Sequence, residues 1–264
     1  MFSLRLQCPP NEAEIASAEL WEFGTVAISE CEENGETILL AGFEDERSRD
    51  FLLARFTDYD PAWRKDNTDW VSATEKAWPP RAIGQTFFLA APWRNDPTPP
   101  GRVRIIHNPG LASGTGEHPC TQLALEALER CVFPATKVLD VGTGSGILSI
   151  AASRLGADFT LGIDPDTGAL QTARENFELN HLTAALAAGS ADCIADGWAD
   201  VTVANISGTV LISILDDLLR VTRPDGFLIL SGFADNEALA FLRIFPDAEQ
   251  TTCEGWSCLT AHQL

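Results

Sequence analysis

The run Val138-Leu139-Asp140-Val141-Gly142-Thr143-Gly144-Ser145-Gly146 passes from an apolar strand through three glycines directly into a helical pattern. Glycines at such a junction let the backbone turn tightly and approach a ligand that a Cβ would hold off. The first N–H groups of the helix then face a polar or anionic ligand atom. Gly142, Thr143, Gly144 and Gly146 are the candidate contacts. Their spacing is G-x-G-x-G, whereas the dinucleotide fingerprint is G-x-G-x-x-G. One strand later, Gly162-Ile163-Asp164 ends on a carboxylate, which can accept hydrogen bonds from both hydroxyls of a ribose. These two features suit the adenosyl group of a nicotinamide cofactor and of a methyl donor equally. Asn205, in Val203-Ala204-Asn205-Ile206, separates the two. It closes an apolar strand at the sheet edge where ligands bind in open α/β folds, and its amide carries both an acceptor and a donor. The oxygen can hold an amine N–H and aim the nitrogen lone pair at the methyl group of a sulfonium. A nicotinamide dehydrogenase has no particular need for an asparagine there.

A second glycine-rich stretch, Pro109-Gly110-Leu111-Ala112-Ser113-Gly114-Thr115-Gly116-Glu117-His118-Pro119-Cys120-Thr121, precedes the first. A loop of this kind can fold over a ligand and exclude water. Thr121, at its end, brings a hydroxyl to the cofactor or to the surroundings of the transferred group. His118 and Glu117 are metal-ligand types, but no other ligands cluster near them, and no metal is expected. The seven cysteines form no C-x-x-C pair and have no His partners at zinc spacing; they are read as reduced thiols of a cytoplasmic protein.

These residues need a scaffold of alternating strands and helices. After Arg102 the pattern predicts strands at Val103–Ile106, Lys137–Val141, Phe159–Ile163, Asp200–Ala204 and Phe227–Leu230. Helices are predicted at Cys120–Cys131, Ile147–Leu155, Asp166–Asn180 and Thr209–Val221, with Pro224-Asp225-Gly226 a turn. Apolar strands alternating with helices imply a mostly parallel sheet covered on both faces, the α/β, Rossmann-like class. Before Tyr59 the order is β-α-β-β-α, from Ser3–Leu6 to Ser48–Phe56, which suits a small α+β sandwich of split β-α-β, ferredoxin-like type. The expected organisation is therefore a small domain over residues 1–59, an exposed connector over 60–78 and the ligand-binding domain over 79–264.

Charge narrows the partners. Eighteen basic side chains against 38 acidic ones leave a formal charge of −20. Nucleic-acid binding depends on Lys and Arg neutralising phosphates, so direct contact with nucleic acid is disfavoured. A basic protein would be drawn to such a surface. No stretch approaches the roughly 20 apolar residues of a membrane span; the run from Val210 to Leu219 is broken by Ser213, Asp216 and Asp217. Neither a membrane partner nor a secretory leader is expected.

Together, Asp140-Val141-Gly142-Thr143-Gly144-Ser145-Gly146, Gly162-Ile163-Asp164 and Val203-Ala204-Asn205-Ile206 resemble the motifs of class I S-adenosyl-L-methionine-dependent methyltransferases. The upstream loop from Pro109 to Thr121, with Asp69-Trp70 and Glu254-Gly255-Trp256, is similar to the ribosomal protein L-eleven methyltransferase (PrmA) family. The resemblance covers at least Asp69 to Trp256 and is weaker before that. It implies S-adenosyl-L-methionine as cofactor, held by Thr121, Gly142, Asp164 and Asn205. It implies methylation of lysine and α-amino groups on a large-subunit ribosomal protein, with the N-terminal domain recognising substrate. Ser113 and Glu117 depart from the family pattern, where an aromatic and a neutral or basic residue are usual. The alternatives are a lysine methyltransferase with another protein substrate and a non-catalytic protein that only binds the cofactor.

Overall fold

Buried Leu4, Leu6 and Cys8 alternate with more exposed neighbours along β1 (Phe2–Cys8), the two-residue period of a half-buried strand. It begins the first of two compact units, Met1–Lys76 and Ala77–Leu264, in a computed structural model that describes residues 2–33, 35–65, 78–108, 116 and 118–263. Helix α1 (Pro10–Glu22), strands β2 (Ala27–Glu33) and β3 (Glu36–Phe43), helix α2 (Arg49–Arg55) and strand β4 (Ala62–Lys65) complete the unit's elements. The sheet order is β2-β3-β1-β4, with every neighbouring pair antiparallel, which is the ferredoxin-like arrangement. Leu20, Leu52 and Phe56 bring the helices onto Leu4, Leu6 and Leu39 of the sheet.

Strand β4 corrects the expected boundary, because it lies inside the stretch read as a connector. Trp63 pairs in register with Leu4 and its ring sits 5.2 Å from that of Phe43. The neighbouring Arg64 and Lys65 are exposed, so the sequence there reads as polar loop although one aromatic anchors a strand. Asp69-Trp70 lies outside the described residues.

In the second unit, β5 (Arg81–Ile83), β6 (Phe87–Ala90) and β7 (Val103–Ile106) make a small sheet of their own. The rest alternates: α3 (Pro119–Cys131), β8 (Lys137–Val141), α4 (Ile147–Arg154), β9 (Phe159–Asp164), α5 (Thr167–Leu179), β10 (Ala185–Ala188) and β11 (Ala199–Asn205). Then come α6 (Gly208–Ser213), α7 (Leu215–Val221), β12 (Thr222–Ala234), α8 (Ala238–Leu242), β13 (Glu249–Cys253) and β14 (Trp256–His262). The helix expected over Thr209–Val221 is in fact two. Ser213 turns its hydroxyl back to the Val210 carbonyl at 2.7 Å, and Ile214 leaves helical geometry with φ −113°.

The seven strands of the main sheet run in the order β10-β9-β8-β11-β12-β14-β13. All are parallel except β14, which is antiparallel to both of its neighbours. Successive residues of one strand feed opposite layers. Val138 packs with Leu123, Leu128 and Ile150, whereas Leu139 and Val141 pack with Leu211 and Leu218. The order reverses between β8 and β11, and a crevice opens beyond the carboxyl ends of strands at such a point. Among the described residues no helix is long and apolar enough to cross a membrane.

Candidate active site

The glycine turn after β8 is stitched to the end of β9. The N–H groups of Gly142 and Thr143 donate to the Ile163 carbonyl at 2.8 and 3.0 Å, and Gly144 N–H donates to Asp164 Oδ2 at 3.0 Å. The other carboxylate oxygen of Asp164 accepts from Asp166 N–H at 2.9 Å. Two backbone donors thus fix the carboxylate at the crevice and leave further lone pairs for a ligand. Gly142, Gly144 and Gly146 have φ of 72°, 52° and 80°, the left-handed region that side chains disfavour.

Beneath the turn lies a buried polar cluster. Oδ2 of Asp140, which is fully buried, accepts hydrogen bonds from Thr143 Oγ1 (2.7 Å), Ser149 Oγ (2.7 Å) and Ser149 N–H (3.1 Å). Its Oδ1 has no partner. Burial pushes the Asp140 carboxyl up to about 6, opposed by these hydrogen bonds and reinforced by the Asp164 charge. A Cβ on Gly162 would come within 2.8 Å of Thr143 Oγ1 and 3.1 Å of Ser149 Oγ, so the glycine of the Gly-Ile-Asp motif makes room for this cluster.

Across the crevice, the first turn of α3 is tied to the sheet. Asn205 Nδ2, at the end of β11, donates to Thr121 Oγ1 at 3.1 Å, and Ser231 Oγ on β12 donates to the Cys120 carbonyl at 3.0 Å. His118 caps the helix, its Nδ1 accepting from Cys120 N–H at 3.3 Å. Its ring meets that of Trp256 edge-on, with centroids 4.5 Å apart and planes at 71°.

Between these two groups lies a cavity of about 1060 Å³. Of the residues predicted from sequence, Thr121, Gly142, Thr143, Gly144, Asp164 and Asn205 line it. Gly146 does not. It starts α4, and a Cβ there would press on Ala173 and Phe177, so it serves close packing of α4 on α5. Thr143 reaches the cavity, but its hydroxyl turns inward to Asp140. Ser113 and Glu117, with most of the loop that carries them, lie outside the described residues. Among the described residues no group of three His, Cys, Asp or Glu side chains could hold a metal.

Sequence reasoning missed Asn176 and Asn180. Both are fully or almost fully buried, Asn176 on α5 and Asn180 as the cap at its C-terminal end. Asn176 donates to the Ser145 carbonyl at 2.9 Å and accepts from Asn108 N–H at 2.9 Å, joining the glycine turn to the segment after β7. Asn180 bonds both the N–H and the carbonyl of Ile106. Their spacing of four on the apolar face of a helix was the available signal.

The donor set suits a nucleoside carrying a polar tail. Asp164 offers a fixed anionic acceptor at one end, and Thr121 and Asn205 offer a hydroxyl and an amide at the other.

Comparison with known proteins agrees with this geometry. A ribosomal protein L11 methyltransferase from Burkholderia vietnamiensis is 39% identical over 198 residues, covering 74% of this chain and 65% of its own length. One from Desulfosudis oleivorans is 38% identical over 208 residues, covering 75% and 69%. The chain thus spans about 65% of the length of the first of these relatives. The crystal structure of a ribosomal protein L11 methylase from Lactobacillus delbrueckii subsp. bulgaricus superposes with TM-score 0.64 and 30% identity, over 70% of this chain and 99% of that one. A T. thermophilus 16S rRNA methyltransferase shares the fold alone, at TM-score 0.51 and 18% identity. Because the family model described as ribosomal protein L11 methyltransferase (PrmA) matches residues 60–263, from β4 through the whole crevice to β14, the chain belongs to that family.

Proposed function

We propose that the chain is an S-adenosyl-L-methionine-dependent protein N-methyltransferase that modifies lysine or α-amino groups of a large-subunit ribosomal protein of the L11 type. S-adenosyl-L-methionine, the family's methyl donor, supplies when bound an electrophilic methyl group on a sulfonium. Asp164 would hold the ribose hydroxyls, with Gly142 and Gly144 allowing close approach. The Thr121 hydroxyl accepts from Asn205 and keeps its own proton to donate toward the donor's polar tail.

The observation that carries the reading is the Asn205–Thr121 hydrogen bond. It engages the amide NH2 and leaves Asn205 Oδ1 as the acceptor for an incoming amine. Held there by one N–H, a neutral amine points its lone pair along a defined direction, and alignment supplies much of the rate. A lysine reaches that state by losing a proton to solvent, since its ordinary pKa is about 10.4 and a water-poor wall lowers it. The formal charge of −20 favours a basic protein over nucleic acid as partner. A ribosomal substrate implies a cytoplasmic enzyme.

Incubation with labelled methyl donor and purified ribosomal protein L11, followed by peptide mass spectrometry, tests this. Methyl groups on L11 amines are expected. Unmodified L11 in the presence of a chain shown by calorimetry to bind the donor would overturn the substrate assignment. Absence of donor binding would overturn the cofactor.

A further inference from the structure

Fixed charge around the cavity is of one sign. Asp164 and Asp166 line it together with the ring of His118, and among the described residues no Lys or Arg does. A third carboxylate, that of Asp140, lies wholly buried under the glycine turn. Thr143, part of the cavity wall, reaches back to it through a hydroxyl bond of 2.7 Å.

Asp140 is poorly furnished for a permanent negative charge. All three of its hydrogen bonds fall on Oδ2, and Oδ1 has none. The elements packed on it bring no cation. α4 offers the hydroxyl and N–H of Ser149, β11 places Val203 in register with it, and β9 places Gly162 in register and carries Asp164 at its end. Burial first, and then the Asp164 charge, raise the Asp140 carboxyl to about 6 against the pull of the hydrogen bonds. It is therefore close to balance between its two forms in weak acid, and a nearby charge can tip it.

S-adenosylmethionine and S-adenosylhomocysteine share an amine and a carboxyl and differ by one charge. Methyl transfer leaves the C–S electron pair on sulfur, so the sulfonium becomes a neutral thioether. At an effective dielectric of about 20, a unit charge about 10 Å away alters a proton affinity about tenfold or more. We propose that Asp140 tells the charged donor from the neutral product: ionised, it favours the sulfonium across the glycine turn, and donor binding drives off its proton. This rests on the cofactor reading above. With no surface open to the cavity, Asp140 acts through its field and not by contact. The attraction ends when the methyl group leaves, so the product is held less firmly than the donor wherever Asp140 is ionised.

The test measures binding of both ligands by calorimetry from about pH 5 to about pH 7, where their own amine and carboxyl stay largely ionised. If the donor loosens the Asp140 proton about tenfold and the product leaves it unchanged, the ratio of affinities should rise about fivefold across that range in favour of the donor. Donor binding at about pH 5.5 should release about half a proton, read from enthalpies in buffers of different ionisation heat, and product binding close to none. Asp140→Asn carries no charge at any pH and should give a flat ratio. His118→Asn removes another group that titrates in this range while keeping a capping side chain, and should retain the slope of the parent. A flat ratio in the parent overturns the proposal. So does a parent-like slope in Asp140→Asn, or loss of the slope in His118→Asn, because Asp164, Asp166 or His118 would then be its source. No binding of either ligand overturns the cofactor reading and this proposal with it, whereas binding of both at a constant ratio overturns this proposal alone.

Discussion

Replacing Asp164 with alanine should weaken S-adenosylmethionine binding about ten- to a hundredfold. The range follows from what the carboxylate does. Each oxygen accepts one backbone N–H, from Gly144 at 3.0 Å and from Asp166 at 2.9 Å, and each keeps lone-pair capacity for a ribose hydroxyl. Hydrogen bonds to a charged acceptor are worth about 1.5–3 kcal/mol net, which sets the affinity loss. The two backbone N–H groups also lose their acceptor. The Gly144 bond is partly buried and the Asp166 bond exposed, so water replaces part of each, and the cost of at most about 0.5–1.5 kcal/mol each appears as stability. In a unit of this size that lowers Tm by about 2–4 °C per kcal/mol. Isothermal titration with the cofactor reads the first effect and scanning calorimetry the second. Asp164→Asn, with one carbonyl oxygen in place of two, should fall between parent and alanine in both. Affinity within about threefold of the parent, in an alanine variant that melts only a few degrees lower, would refute the assignment of Asp164 to the ribose.

Three further outcomes follow from the site. Asn205→Ala should cut the methylation rate about a hundredfold while cofactor affinity stays within about threefold, whereas Asn205→Asp should recover rate as pH is raised; parent-like rates in both at saturating cofactor would leave Asn205 as a tie between α3 and the sheet. Asp140 has its folded carboxyl raised from 3.8 to about 6, so its contribution to stability is full below 3.8 and is lost as pH rises through 6. Asp140→Asn keeps one acceptor without the charge and should gain on the parent by up to about 3 kcal/mol between those limits and stay level above them, as denaturant titrations at several pH values would show; a difference independent of pH sinks the claim. A chain beginning at Ala77 should bind cofactor yet fail to methylate L11, because the first unit closes on itself with β4; normal methylation by that chain would remove substrate recognition from the first unit.

The glycine-turn side of the candidate site was legible because it is local. Asp140 to Gly146 and Gly162 to Asp164 are each a strand leading into a turn, and glycine and carboxylate chemistry at such turns is stereotyped. Strands β8 and β9 came out within a residue of expectation for the same reason. Pairings decided at a distance were not legible. β4 depends on Trp63 meeting Leu4 and Phe43, and β14 depends on a register with β12 that bulges at Gly232. Gly146 reads in sequence as a ligand contact because a glycine that admits Ala173 and Phe177 looks the same there as one that admits a ligand. Asn176 on α5 and Asn180 at its C-cap read in sequence as ordinary polar positions, because their spacing marks one helix face while the groups they bond, at Ser145, Ile106 and Asn108, lie far off in the chain.

The two ends of the cavity differ in how far apart in the chain their defining contacts lie. Gly144 and Asp164 are 20 residues apart, whereas Thr121 and Asn205 are 84 apart. Closing the longer loop costs about 1.3 kcal/mol more in chain entropy, and Trp256, which also lines the cavity, waits on β14, the last strand. A refolding chain should therefore own the turn that joins Gly144 to Asp164 before it owns the tie between Thr121 and Asn205. Pulsed hydrogen exchange would see amides of β8 and β9 protected ahead of those in β14, and simultaneous protection would contradict it. During that interval the cofactor could act as a template for its own site, binding the early half and stabilising it while the late half is still being gathered.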